Sequence, residues 1–215
     1  MVQLRMRGAL ITIEGIEGSG KTTQRLMLAE WLRGRGYRVR ETREPDGTAL
    51  GEMVRAIFET DGPPPSPLAE VFLFLAARQQ HVAEVVRPAL ARGEVVLSDR
   101  YADATLAYQG YGRGVDRRLI RELNALATDS LRPDLTLLLD LPAEVGLERL
   151  AGRRLDAFER MDPAFHARVR QGYLEIALEE PDRVVRARAD QPIAALHAEL
   201  RAAVEKLLRG REVPA

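Results

Sequence analysis

The sequence predicts an α/β fold, a five-stranded parallel sheet with helices on both faces. Short apolar segments typical of buried strands alternate along the chain with longer segments typical of amphipathic helices. A glycine-rich turn also joins the first predicted strand to the first predicted helix. We therefore expect one domain over residues 1–215, with the sheet as the middle of three layers.

The glycine-rich turn runs Gly15-Ile16-Glu17-Gly18-Ser19-Gly20-Lys21-Thr22 and fits G-x-x-x-x-G-K-[ST], the phosphate-binding P-loop. Glycines let main-chain N–H groups point at anionic oxygens, and the helix that follows adds the positive end of its dipole. We expect Lys21 to reach the β- and γ-phosphates and Thr22 to hold Mg²⁺. The strand and helix around the turn favour a P-loop NTPase-type three-layer fold over an ordinary glycine-rich strand–helix connection.

The composition excludes several classes of function. The net charge is +0 and the pI about 6.9, which argues against strong attraction to nucleic acid or to an anionic membrane. The chain has no cysteine, so disulfides and thiolate metal sites are excluded. No apolar run is long enough to cross a bilayer, and the N-terminus lacks the apolar core of a signal peptide, so we expect a soluble cytoplasmic protein. The histidines are scattered and are interpreted as ordinary structural residues: His81, His166 and His197.

The remaining elements follow from periodicity and from helix boundary signals. Further strands are expected at Tyr37–Thr42, Glu94–Leu97, Leu135–Leu139 and Val184–Val185. Helices are expected over Thr22–Trp31, Leu50–Glu59, Ser66–Gln80, a segment ending near Arg92, Leu119–Ala127, Pro142–Leu150, and after Asp162 and Gln191. The helix after Ser66 is apolar on more than one side, so it is expected to face both the core and a partner. The glycine-rich segment Tyr108–Gly114 is expected to be a loop.

Asp99 and Arg100 follow the predicted strand Glu94–Leu97. Ligands of a doubly wound sheet bind at the carboxyl ends of its strands, so both residues are expected near the P-loop. An acidic residue in this position is a common partner for Mg²⁺ in such enzymes. The alternative is a surface ion pair.

Other candidate residues each have an ordinary structural alternative. Arg149, Arg153 and Arg154 suggest a mobile lid over about 149–160, or else a solvated helix end. Glu17, inside an anion-binding loop, suggests an acceptor for a sugar hydroxyl, or else an outward-facing loop residue. Phe74 and Arg78, one helical turn apart, suggest a nucleobase site, although spacing alone favours core packing for the phenyl ring.

Five segments taken together resemble the bacterial thymidylate kinase family: Ile13–Thr23, Thr42–Pro45 with Gly47–Thr48, Phe74–Arg78, Asp99–Tyr101, and Ala107–Gly110 with Gly112–Gly114. Pro133–Thr136, Leu139–Asp140 and Val145–Leu147 support the match. The P-loop is shared by many families, whereas Arg-Glu-Pro, Asp-Arg-Tyr and Tyr-Gln-Gly in this order are much more specific. The resemblance spans nearly the whole chain.

The resemblance implies transfer of the γ-phosphoryl group of ATP to dTMP, with Mg²⁺ as cofactor. The implied catalytic residues are Lys21, Asp99, Arg100, Arg153 and Arg154, and the implied metal ligands are Thr22 and Asp99. The implied ATP site comprises Gly15, Ile16, Glu17, Gly18, Ser19, Gly20, Lys21, Thr22 and Thr23. The family also implies a homodimer formed through helices.

The resemblance also implies how dTMP is held. Arg43 and Arg100 would grip its phosphate, while Phe74 stacks on thymine and Arg78 hydrogen-bonds the carbonyl edge of the base. Thr105 and Gln109 would lie near the base, Tyr108 would crowd the 2′ position, and Glu17 would accept from the 3′-hydroxyl. The chain departs from the family pattern at Asp46, Ala104, Ala157 and Arg186–Asp190. The departure at Ala157 leaves Arg153 and Arg154, with Arg149, to supply the lid charge.

Two other functions stay open from the sequence. Another P-loop nucleoside monophosphate kinase would differ only in its base and sugar contacts. A nucleotide-binding regulator or GTPase-like switch would bind without phosphorylating a metabolite. The guanine-reading Asn/Thr-Lys-x-Asp signature is absent, because neither Lys21 nor Lys206 is followed two residues later by Asp.

Overall fold

The computed structural model describes residues 5–6, 8–60, 62–150, 152, 155–209 and 212–213. Its main sheet has five strands, and all neighbouring pairs are parallel. Together with two strands outside this sheet, the strands of the described residues are β1 (Arg5–Met6), β2 (Ala9–Glu14), β3 (Val39–Arg43), β4 (Val95–Asp99), β5 (Leu135–Asp140), β6 (Val184–Arg188) and β7 (Glu212–Val213). Their order in the main sheet is β3-β4-β2-β5-β6, while β1 and β7 form a separate antiparallel pair. The predicted parallel α/β sheet is confirmed.

The helices alternate with these strands along the chain. They are α1 (Lys21–Gly34), α2 (Ala49–Glu59), α3 (Pro67–His81), α4 (Arg87–Ala91), α5 (Ala102–Thr105), α6 (Arg117–Thr128), α7 (Ala143–Glu148), α8 (Pro163–Glu179) and α9 (Ile193–Arg209). A π-helical segment, Val82–Val86, joins α3 to α4. Among these helices none is both long and apolar enough to cross a membrane.

The sequence signals at helix starts are partly borne out. Asp162 caps α8, since its Oδ1 accepts from the amide of Phe165 at 2.6 Å, and Pro163 is the first helical residue. Ser66 precedes Pro67 at the start of α3, but its side chain makes no capping hydrogen bond.

The prediction of a loop at Tyr108–Gly114 is wrong, because Leu106–Gly112 is a π-helical segment that continues α5. Gly112 serves close packing here. A Cβ at this position would lie 2.6 Å from Cε2 of Phe165 on α8. The glycine lets two helical segments approach closely, whereas the sequence pattern alone suggested a flexible turn.

Both faces of the sheet are covered. Leu10 and Val96, on β2 and β4, pack with Val82, Val86 and other residues of the α3–α4 region. Their strand neighbours Ile11 and Leu97 belong instead to the main core cluster. Adjacent strand residues point to opposite faces, so the two clusters lie on opposite sides of the sheet. The carboxyl ends of the strands then meet along one edge, where the P-loop begins.

Candidate functional site

The P-loop connects β2 to α1 and packs tightly against α7. Gly18 has φ +72°, and a Cβ there would lie 2.4 Å from the carbonyl oxygen of Gly146. Within the loop, Lys21 donates through Nζ to the carbonyls of Gly15 and Ile16, at 3.0 and 2.9 Å. Burial and then the charge of Arg100 lower the pKa of Lys21 to about 8. The ammonium is thus held inside the loop where phosphates bind.

Thr22 and Asp99 form the part of the site that fits a magnesium ion. The hydroxyl of Thr22 donates to Oδ2 of Asp99 at 3.2 Å, joining the start of α1 to the end of β4. A hydroxyl and a carboxylate are the hard oxygen donors that Mg²⁺ takes, and phosphate oxygens and waters usually complete its shell. The two residues predicted from the sequence as metal ligands are therefore neighbours.

A cavity opens beside the P-loop at the carboxyl edge of the sheet. It brings together most of the residues predicted to bind the monophosphate: Glu17, Phe74, Arg78, Arg100, Thr105, Tyr108 and Gln109. Its walls also include residues to which the sequence assigned no binding role: Glu44, Pro45, Arg55, Phe58, Glu59, Ala104, Asp156 and Phe158. Phe58 stacks on Phe74 with ring centroids 4.8 Å apart, and Phe158 packs against both rings. One end of the cavity is therefore aromatic.

Glu17 also lines the cavity, within a cluster of polar groups. Its Oε1 accepts from Arg100 at 2.7 Å and from the hydroxyl of Tyr108. His166 approaches its Oε2, with Nδ1 3.4 Å away, and Oε2 makes no hydrogen bond among the described residues. Burial opposes ionisation of Glu17, but Arg100, His166, Lys21 and Tyr108 outweigh it and hold its pKa well below the ordinary range.

Arg100 adopts a backbone conformation that is rare for its residue type. Its φ is +69°, and such strain persists where the surroundings determine it, often at functional sites. Its guanidinium also lies over the Tyr108 ring, 4.8 Å from the centroid. Next to it, the buried carboxyl of Glu14 accepts from the amide of Tyr101 at 2.7 Å and from the hydroxyl of Tyr173 at 2.8 Å. Burial and then Asp103 raise the pKa of Glu14 to about 8.

Arg78 is anchored behind the aromatic end of the cavity. Its NH1 donates to Thr105 Oγ1 at 2.9 Å and to Asn124 Oδ1 at 2.6 Å. Its Nε donates to Glu44 at 2.8 Å, and its NH2 to the carbonyl of Tyr101 at 2.9 Å. The guanidinium plane is fixed on every side, so Arg78 can offer a donor to a ligand only by sharing or exchanging one of these bonds.

Other predicted residues lie apart from the cavity. Arg43 ends β3, and its side chain pairs with Asp46, Nε to Oδ2 at 2.8 Å. Arg149 donates to the carbonyls of Gly18 at 3.0 Å and Ala189 at 3.3 Å, so it braces the P-loop. The lid arginines predicted from the sequence, Arg153 and Arg154, lie outside the described residues.

Of two site residues that the sequence did not predict, Phe58 had a signal in the sequence and His166 had none. Phe58 is three residues from Arg55 on a predicted helix, which places both on one face. His166 follows Phe165 near the start of α8 and is 1% exposed. Nothing in the sequence indicated that it would lie beside Glu17, because the two are distant along the chain and meet only through tertiary packing.

Comparison with known proteins identifies the family. A family model described as thymidylate kinase matches residues 13–200. A thymidylate kinase of Synechococcus sp. (strain JA-2-3B'a(2-13)) is 52% identical over 92% of this chain and 95% of its own length. The thymidylate kinase of Geotalea uraniireducens is 48% identical over 92% of this chain and 96% of its own. The crystal structure of thymidylate kinase from Ehrlichia chaffeensis superposes with a TM-score of 0.75 at 36% identity, covering 92% of this chain and 98% of the other. Like these phosphotransferases, the chain belongs to the thymidylate kinase family.

Proposed function

We propose that this chain transfers the γ-phosphoryl group of ATP to dTMP, giving dTDP and ADP. The observation that carries the proposal is the continuity of one cavity from base site to phosphate site. Its walls contain both the pair Phe74 and Arg78 and the pair Glu17 and Arg100, and Glu17 belongs to the P-loop. A nucleoside monophosphate placed along this cavity directs its phosphate toward Lys21.

The aromatic and the charged parts of the cavity wall suit the two halves of dTMP. The ring of Phe74 offers a flat apolar surface on which thymine stacks. We propose that a thymine carbonyl shares the Arg78 donor now directed at Thr105, 2.9 Å away. Gln109 is close to the base in this arrangement. Glu17 accepts from the 3′-hydroxyl, and the ring of Tyr108 occupies the space that a 2′-hydroxyl would need.

The reaction needs no strong general base. The nucleophile is a phosphate oxygen of dTMP, which is mostly dianionic at pH 7 because its second pKa is about 6. The protein must align two anions and offset their repulsion. Lys21 holds the ATP phosphates, and Arg43 and Arg100 hold the dTMP phosphate.

Thr22 and Asp99 would hold the magnesium ion. The chemistry that Mg²⁺ supplies when bound is neutralisation of charge on the phosphate oxygens. Asp99 serves in this account as a ligand and an organiser of water, since the dianionic phosphate leaves no proton to remove.

We further propose that residues 149–160 act as a lid of this single domain. The described end of the segment lies over the cavity, where the amide of Ala157 donates to the carbonyl of Phe58 at 3.2 Å. Arg153 is the first candidate for the cation that reaches the transferring group, and Arg154 the second. Loss of both should lower kcat by about 10³-fold with a nearly unchanged KM for dTMP, by analogy with arginine fingers. Steady-state kinetics of Arg153→Ala, Arg154→Ala and the double variant tests this, and near-normal kcat in the double variant excludes it.

The protein is also proposed to be a homodimer in the cytoplasm. Helix α3 packs between α2 and α6, and all three carry exposed apolar side chains at spacings that put them on one helix face. These are Met53, Ile57, Leu68, Phe72, Leu119 and Leu126. Exposed apolar side chains on neighbouring helices are typical of a protein interface.

A coupled assay of ADP release tests the proposed activity. The protein, ATP, Mg²⁺ and dTMP should form ADP and dTDP in equal amounts, and a chelator of Mg²⁺ should stop the reaction. Lys21→Ala should fold normally and lose most of kcat, because the ammonium stabilises charge on the transferring group. ADP formation that does not depend on dTMP, or full activity of folded Lys21→Ala, contradicts the proposal.

A further inference from the structure

Asp46 is a carboxylate placed between two arginines, one of which, Arg55, lines the cavity. Its Oδ2 lies 2.8 Å from Nε of Arg43, and its Oδ1 lies 3.6 Å from NH1 of Arg55. Arg55 lines the cavity, and the Asp46 side chain is 19% exposed. A single carboxylate therefore partly neutralises two guanidinium groups beside the site.

The backbone of Arg43 lies at the catalytic edge of the sheet. It pairs in register with Asp99 of β4, and the amide of Glu44 donates to the Asp99 carbonyl at 3.0 Å. Its guanidinium, however, is bound to Asp46 and is about half exposed. An anion that recruits Arg43 must therefore compete with Asp46.

We propose that Asp46 is a positioning residue that sets the affinity for dTMP by competing with its phosphate for Arg43. The proposal rests on the proposed function, in which Arg43 binds that phosphate. A dianion attracts a guanidinium more strongly than a carboxylate does, so the phosphate displaces Asp46 when dTMP binds. Asp46 then remains close to the bound phosphate and repels it. Both effects weaken the binding of dTMP equally in the ground state and in the transition state. They therefore raise KM for dTMP and leave kcat unchanged.

The test is steady-state kinetics on Asp46→Asn, which keeps the shape of the side chain and removes its charge. KM for dTMP should fall about two- to fivefold, the range set by a partly exposed ion pair. kcat should stay within about twofold. Asp46→Glu keeps the charge and should not lower KM. Added salt should narrow the difference between Asp46→Asn and the parent protein.

Asp129→Asn is the matched control. Asp129 is also ion-paired with an arginine, Arg87 at 2.8 Å, but its side chain is 91% exposed and outside the cavity lining. Asp129→Asn removes the same charge from the protein as Asp46→Asn does. An equal fall in KM for dTMP in Asp129→Asn would therefore show a general charge effect and overturn the proposal.

A double variant tests whether Asp46 affects the binding of dTMP through Arg43. In an Arg43→Ala background, Asp46→Asn should lower KM by less than half of the change seen in the parent. An unchanged or raised KM in Asp46→Asn, an equally large fall without Arg43, or failure of Asp46→Asn to fold overturns the inference. These outcomes leave the proposed function intact as long as the parent protein phosphorylates dTMP. A parent that makes no dTDP overturns the proposed function itself.

Discussion

At the scale of single residues, the site depends on charges held out of water. Lys21 and Glu17 are buried, and the Arg100 side chain is 22% exposed. Both cations stabilise the charge of Glu17, whereas Arg100 repels Lys21, whose charge is supported by Asp99 and Glu17. Such an arrangement is preorganised, because the charges are fixed before a nucleotide arrives. It also makes the protonation of Lys21 sensitive to what occupies the P-loop.

The lowered pKa of Lys21 predicts a pH dependence for ATP binding. In the free protein Lys21 loses its proton as the pH rises past about 8, and bound phosphates favour the protonated form. Binding above that pH must therefore take up a proton. The dissociation constant of Mg·ATP, measured by calorimetry, should rise by up to about tenfold per pH unit above this pKa. Lys21→Arg should bind with little pH dependence, since arginine stays charged, and a flat profile for the parent up to pH about 9.5 would refute the account.

Tyr108 is predicted to select deoxyribose. The residue is 5% exposed, and its hydroxyl donates to Glu17. Tyr108→Ala opens space at the 2′ position, so the ratio of kcat/KM for the ribonucleotide of thymine over dTMP should increase by about tenfold or more. Tyr108→Phe keeps the ring and should leave the ratio close to that of the parent. If both variants show the parent's ratio, the steric explanation fails.

At the scale of elements, the π-helical segment Leu106–Gly112 and α8 carry Tyr108, His166 and Tyr173 into the site. Gly112 sets how closely these two elements approach. Gly112→Ala places a methyl group 2.6 Å from Phe165 in a well-packed core, so it should destabilise the fold by about 1–3 kcal/mol. Urea unfolding measures the change.

Gly34→Ala is the control for this prediction. Gly34 is the last residue of α1, and a Cβ there meets nothing within 4 Å. That substitution should be neutral or stabilise by up to about 1 kcal/mol. Equal stability of Gly112→Ala and the parent would show that the segment Leu106–Gly112 and α8 can move apart without a loss of stability.

The elements of the fold were largely predictable because their signals are local. The P-loop glycines, the buried strands and the Asp162-Pro163 helix start follow from residue type and spacing. The π-helical segment Leu106–Gly112 was not predictable, because its glycines are explained by contact with α8, which lies far along the chain. The pairing of β1 with β7 was missed for another reason, because two-residue strands carry no periodicity.

The candidate site was predictable only in part. Thr22 and Asp99 could be brought together by topology alone, because strand ends meet at one edge of a parallel sheet. The roles of Phe74 and Glu17 required the family resemblance. The anchoring of Arg78 by Glu44, Thr105 and Asn124 depends on side-chain packing that no sequence spacing encodes.

At the scale of the whole molecule, the exposed apolar surface of α2, α3 and α6 predicts self-association. Phe72 on α3 is 55% exposed, and Phe72→Asp should place a charge in the interface and produce a monomer. Sedimentation velocity measures the mass. Leu178→Asp is the control, because Leu178 on α8 is 80% exposed outside this surface and its replacement should leave a dimer. A parent protein that sediments as a monomer at micromolar concentration would exclude the predicted dimer.

The cavity beside the P-loop is predicted to recognise the thymine nucleotide as the phosphoryl acceptor. The measurement that tests this prediction most directly is kcat/KM for dTMP, dCMP, dAMP and dGMP, each with saturating Mg·ATP in the same assay. The stacking ring of Phe74 and the fixed donor of Arg78 predict that dTMP exceeds each of the others by at least about tenfold. Equal or better turnover of a purine monophosphate would contradict the account.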